Sequence, residues 1–69
     1  MAWIEIKLDN ILKAKGISNR EFARITNTRH STINDMCNNK VKHLPLDKAA
    51  LICEELNIEL SDLLKLHKD

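Results

Sequence analysis

The run from Ser18 to Lys40, SNREFARITNTRHSTINDMCNNK, constrains this chain more than any other stretch. It predicts two short helices joined by a tight turn. Ser18 with Glu21 three residues later is a capping box, and Ile17 ahead of Phe22 fits a hydrophobic staple, so the first helix starts here. Phe22, Ala23 and Ile25 supply its apolar positions. Thr26-Asn27-Thr28 then breaks the pattern, and Asn27 is the natural pivot because Asn is the non-glycine residue best able to take a positive φ. The second helix, about His30 to Cys37, turns Ile33, Met36 and Cys37 inward. Its other residues are poor helix formers. From Arg29 to Asp35 there is no Ala, Leu, Glu or Lys. Ser, Thr, Asn and Asp weaken a helix because they can bond nearby backbone instead. A surface helix built from them points to selection for something besides helicity.

The flanks predict more helix. Leu8, Ile11 and Leu12 form an apolar stripe on a helix from about Lys7 to Lys15, and Gly16 stops it as a left-handed residue. Residues 2–6, AWIEI, fit an extended arm, a short strand or the helix start. Asn39 is a left-handed cap after the second helix of the pair. Pro45 suits the entrance to a fourth helix, with Asp47 in its first turn. Leu46, Ala49, Ala50, Ile52, Cys53 and Leu56 form its inner face, and Asn57 stops it. Ser61-Asp62 caps a last short helix carrying Leu63, Leu64 and Leu66. One Gly and one Pro leave little room for hairpins, and the apolar residues are aliphatic, with aromatics at only 3%. The expectation is an all-α fold of five short helices around one core, a single domain over residues 1–69.

Several function classes recede. His30, His43 and His67 lie in different segments, with no paired spacing for a metal and no glycine-rich phosphate loop, so no enzyme and no cofactor are expected. Cys37 and Cys53 fall on apolar faces without a CxxC, and read as two buried free thiols. No apolar run approaches the roughly 20 residues of a membrane span. The chain reads as cytoplasmic, with no small-molecule ligand evident. Net charge is only +1, but it is unevenly spread. Residues 1–45 hold eight Lys/Arg against four acids, and residues 46–69 hold three against six. A basic front can meet phosphate while an acidic back faces away.

Short donors and acceptors standing out from a helix can read base edges in a DNA major groove. Residues 19–38 resemble the helix-turn-helix of the Xre/Cro type, the lambda-repressor-like family of small regulators. Ala23 stands in the fifth place, where a small residue lets the helices approach. Asn27 stands in the ninth, the turn position usually held by Gly, and Ile33 and Met36 in the fifteenth and eighteenth, which lock the second helix to the core. LDKAALICEELNIELSDLL is similar to the family's closing pattern, so the resemblance covers about Leu8 to Leu66. Two departures stand out. Asn27 replaces Gly, and Asp35 stands where many relatives carry Arg, Gln or Ser.

The resemblance implies a sequence-specific DNA-binding regulator, a small repressor acting by operator occupancy. It implies that the N-terminal half of the second helix meets base edges: His30, Ser31, Thr32 and Asn34, with Arg29 on guanine or phosphate and Asn34 on adenine. Asn19, at the first place of its helix, matches a position that touches the DNA backbone. Arg20, Asn38, Asn39, Lys40 and Lys42 are candidate phosphate ligands. Asp35 either accepts from a cytosine amino group or pairs internally with Arg20 or Arg24, and the internal pair is the favoured reading. The expected partner is double-stranded DNA, bound as a homodimer, with the C-terminal leucines and the Trp3-Ile4 arm as the apolar surfaces for pairing. The rival reading is a helical protein-interaction module, such as an antitoxin or accessory subunit, supported by the near-neutral charge and Asp35.

Overall fold

A computed structural model describes residues 1–68. In chain order the elements are β1 (Trp3–Ile6), α1 (Leu8–Lys15), α2 (Asn19–Ile25), α3 (His30–Cys37), α4 (Leu46–Leu56), α5 (Leu60–Leu63) and β2 (Leu64–His67). The five helices are present, but the fold is not purely helical. β1 and β2 pair antiparallel, with Trp3 opposite His67 and Ile6 opposite Leu64. The expectation of a helical Leu64 and Leu66 is therefore corrected. LKLH alternates apolar and polar, which is strand periodicity, and α5 stops after one turn so that β2 can pair with β1. The start of α5 also lies earlier than Ser61. Its N-cap is Glu59, whose N–H donates to the Asp62 carboxylate at 3.0 Å.

One helix stop is used four times. Gly16, Asn27, Asn39 and Asn57 have φ of 70, 51, 58 and 54°. After each, the next residue's N–H reaches back over the helix end: Ile17 to the Leu12 carbonyl, Thr28 to Ala23, Lys40 to Asp35 and Ile58 to Cys53, at 2.8–3.0 Å. This is the Schellman motif, which satisfies carbonyls that a helix end leaves orphaned. Glycine makes the left-handed turn without strain; asparagine does so at a small penalty. These stops set the helix lengths and hence the way the helices fold back on one another.

The core is Ile6, Leu8, Leu12, Phe22, Ala23, Ile33, Met36, Ile52, Leu56 and Leu63, with Ile17, Cys37, Val41, Leu44 and Cys53 packed around it. Three expected inner positions lie outside it. Ile25, Leu46 and Ala50 are exposed. On α4 the buried stripe is Ala49, Ile52 and Leu56, narrower than the apolar sequence allows, and Leu46 sits at the first helical position, 86% exposed. On α2 the place expected of Ile25 goes to Thr26, which is buried with its hydroxyl donating to the Phe22 carbonyl at 2.8 Å. Both cysteines are free and half-buried. Among the described residues no helix is long and apolar enough to cross a membrane.

Candidate nucleic-acid interface

The position of α3 follows from two buried side chains. Ile33 and Met36, on one side of the helix, are 0% and 3% exposed. A helical turn takes 3.6 residues, so Ser31 and Asn38 point directly away from them, Asn34 and Asp35 lie about 50° to either side, and His30 and Thr32 stand on the flanks. The burial pattern agrees. His30, Ser31, Asp35 and Asn38 are exposed, and Thr32 and Asn34 are half-buried. The helix begins at Arg29, which is extended at φ −63°, ψ 139° and makes no side-chain cap bond. The Arg29 side chain is therefore left at the open N-terminal end of α3.

α2 is seated by its own cap. The Ser18 hydroxyl accepts from the Glu21 N–H at 3.0 Å. Only this half of the expected capping box forms, because the Glu21 carboxylate turns to Arg24 instead. The first residue of α2 then joins it to α3. Asn19 Nδ2 donates to Asn34 Oδ1 at 2.8 Å, and Cys37 S–H donates to Asn19 Oδ1 at 3.5 Å. Asn19 and Asn34, both expected to reach DNA, are thus brought together. Both amide atoms of Asn19 and the Oδ1 of Asn34 are thereby committed inside the motif. Burial raises the Cys37 thiol pKa above its ordinary value, with Asp9 adding to the effect.

The cations divide into two sets. Lys13 pairs with Asp9 at 3.0 Å, and Arg24 with Glu21. Among the described residues Arg20, Arg29, Lys40 and Lys42 have no carboxylate partner and are exposed; Lys7, Lys15, Lys48, Lys65 and Lys68, outside the two-helix unit, also pair with no carboxylate. The internal pair expected for Asp35 does not form, since Arg24 is taken by Glu21 and Arg20 makes no ion pair. Asp35 stands on the outward face, exposed, with no salt-bridge partner for its carboxylate, and its main-chain carbonyl accepts from the Lys40 N–H at 2.8 Å.

Asn39 has a different place from the one expected. Its side chain turns to β1: the Ile6 N–H donates to Asn39 Oδ1 at 2.6 Å, and Asn39 Nδ2 donates to the Ile6 carbonyl at 3.1 Å. The amide acts as a one-residue strand neighbour that fastens the end of α3 to the sheet. Lys48 was not singled out by sequence. Its Nζ donates to Thr28 Oγ1 at 2.8 Å, and Thr28 Oγ1 donates to the Thr26 carbonyl at 3.1 Å, so α4 braces the turn just before Arg29. No local pattern marks a contact that spans twenty residues of chain.

The chain matches the family model for a Cro/C1-type helix-turn-helix DNA-binding domain over residues 7–69. No curated protein matches it. Among solved structures it is similar to the crystal structure of "a putative DNA-binding protein" from Bacteroides fragilis, with 25% sequence identity and a TM-score of 0.82, over 91% of this chain and all of that one. That neighbour shares the helical frame that holds α2 and α3. On a family match that spans the whole two-helix unit and its supports, the chain belongs to the Cro/C1-type helix-turn-helix family of DNA-binding domains.

Proposed function

We propose that this protein is a sequence-specific transcriptional regulator, a small single-domain repressor that acts by occupying an operator as a homodimer. The observation that carries the reading is the division of α3. Ile33 and Met36 are consumed by the core, and the opposite side offers only short polar groups. Around them stand Arg20, Arg29, Lys40 and Lys42, cations with no internal carboxylate. Ser31, His30 and Asn34 are the base-reading candidates, and Thr32 flanks them toward the phosphates. The Asn19–Asn34 bond refines the role of Asn34. Its Oδ1 already accepts once, so it approaches a base chiefly through its amide donors, toward an acceptor such as adenine N7. Asn38, Lys40 and Lys42 lie at the far end of α3 and in the loop beyond, where they would hold backbone phosphate.

One such domain reads few base pairs. Two copies on half-sites about 34 Å apart, one helical turn, supply the missing specificity. The unpaired Asp35 favours a second reading, a protein-interaction module, because an exposed acid on this face opposes phosphate.

The experiment is selection of bound sequences from a random DNA pool, followed by titrations of variants on the selected site. Asn34→Ala should lose about 1–3 kcal/mol on that site and relax preference at one base pair, whereas Lys40→Ala should weaken all sequences alike. Affinity should fall steeply with added salt as counterions are released. Full cognate binding by Asn34→Ala would refute the assigned face. No DNA binding at low salt would transfer the case to the protein-interaction reading.

A further inference from the structure

The two-stranded sheet has two open edges, and they are not alike. The Ile6 N–H and carbonyl are held by the Asn39 amide, so they face away from β2. In an antiparallel pair these directions alternate along the strand. Trp3 and Glu5 therefore bond to β2, and the ladder continues as the Lys7 N–H donates to the Leu63 carbonyl at 2.7 Å. The Ile4 N–H and carbonyl point outward, and nothing among the described residues takes them. The outer edge of β1 is thus closed at Ile6 and open at Ile4. Trp3, Ile4 and Leu66 around it are 51%, 53% and 51% exposed. Ile4 also lines an open groove of about 450 Å3 with Ile6, Val41, Leu44 and Leu64.

We infer that the open edge of β1 docks a second copy of this chain, strand to antiparallel strand, with the two-fold axis at Trp3. This rests on the homodimeric reading above and gives it a surface. The register follows from Asn39. A pairing centred on Ile4 would need the main chain of Ile6, which Asn39 already occupies. A pairing centred on Trp3 uses only Ile4 of one copy and Ala2 of the other, four main-chain hydrogen bonds in all. It sets Trp3 against Trp3 and places no like charges opposite each other. The β2 edge is unsuited to the same use. The Leu64 N–H is spent on the Leu60 carbonyl, and pairing about Leu66 would set Lys65 beside His67 and Leu64 beside Lys68. Edge lysines of this kind discourage strand addition. Joining β1 of one copy to β2 of another is heterologous and runs on without closing. Only β1 against β1 closes as a dimer.

The test uses sedimentation and tryptophan emission of the full chain from micromolar to millimolar concentration. Trp3 is the only tryptophan. It stacks on His67 with ring centroids 4.4 Å apart, so its emission reports directly on this edge. The wild type should dimerise with a blue shift in emission. Ile4→Pro removes the outward N–H and leaves the β1–β2 bonds intact, as an edge strand permits. It should weaken association roughly thirty-fold, the loss of two ordinary hydrogen bonds per dimer. Leu46→Lys, on the other exposed apolar patch, should dimerise as the wild type does. Dimers that resist Ile4→Pro, or that form with no change in Trp3 emission, overturn the edge while leaving the dimeric reading in place. A wild type that is monomeric throughout, with and without DNA, overturns both. If far-ultraviolet circular dichroism shows that Ile4→Pro does not fold, the wild-type emission and Ile4→Lys decide in its stead.

Discussion

Asn39 has two jobs, and substitution can separate them. Its backbone ends α3 at φ 58°, and its amide holds both main-chain groups of Ile6. Asn39→Gly keeps the left-handed turn and deletes the amide. Ile6 is only 7% exposed, so its N–H and carbonyl would be left poorly solvated. At about 1 kcal/mol net for each bond, less about 0.5 kcal/mol regained because glycine takes the left-handed turn without strain, the glycine variant should lose about 1.5 kcal/mol. Asn39→Ala deletes the same bonds but, unlike glycine, keeps a Cβ in the left-handed region, which leaves it about 1 kcal/mol less stable than the glycine variant. In a domain of this size each kcal/mol is roughly 4–8 °C in melting temperature, so the glycine variant should melt about 6–12 °C lower and the alanine variant lower still. Thermal unfolding followed by circular dichroism and by Trp3 emission measures both. A glycine variant that melts above the wild type by as much as Asn27→Gly does would show that the Asn39–Ile6 bonds contribute nothing. DNA titration well below the melting transition adds a second readout. Unchanged affinity there fits the structural role; a loss common to all sequences restores Asn39 as a phosphate ligand.

Three further outcomes follow from the same geometry. Ser18→Ala removes the cap on the Glu21 N–H and should destabilise by about 1 kcal/mol in denaturant titration; no shift in midpoint would mean that solvent replaces the hydroxyl fully. Asn27→Gly should raise the melting temperature by a few degrees and Asn27→Ala should lower it, because φ at this turn is 51°; a glycine variant of lower stability would contradict the strain assigned to the turn. Burial raises the thiol pKa values of Cys37 and Cys53 in the folded state, so folding favours their protonated forms. That stabilisation is present below the ordinary thiol value of 9.0 and is lost as pH rises through the folded values, so stability should decline in alkaline solution, and less so in a Cys37→Ala, Cys53→Ala double variant.

The helix stops were legible because each is a local event. A single Gly or Asn after an apolar stripe marks a left-handed residue, and all four expected stops are found at positive φ. The orientation of α3 was legible for a similar reason, since Ile33 and Met36 share one side of a helix. The sheet was not. LKLH alternates and WIEI does so less clearly, but over only four residues, too short a run to outweigh a helix turn, and what decides is a partner at the other end of the chain. The width of the buried stripe on α4 was also hidden. Leu46 and Ala50 are as apolar as their neighbours, and only the packing shows that nothing lies against them. At the interface, residue types were readable and their commitments were not. Asn19, Asn34 and Asn39 look interchangeable in sequence, yet two bond each other and the third fastens a strand.

The register that sets Trp3 opposite His67 also governs what can be attached to this molecule. Directly opposed residues in an antiparallel pair lie about 5 Å apart. A tag, tether or further module fused ahead of Trp3 would thus leave the fold beside one fused after His67. Both would emerge at the Trp3–His67 end of the sheet, three residues along β1 from Ile6, where Asn39 fastens the C-terminal end of α3. A short peptide joining the two ends would make a circular permutant with little distortion. Fusions at these two strand ends become interchangeable in position, and bulky ones would first crowd the sheet.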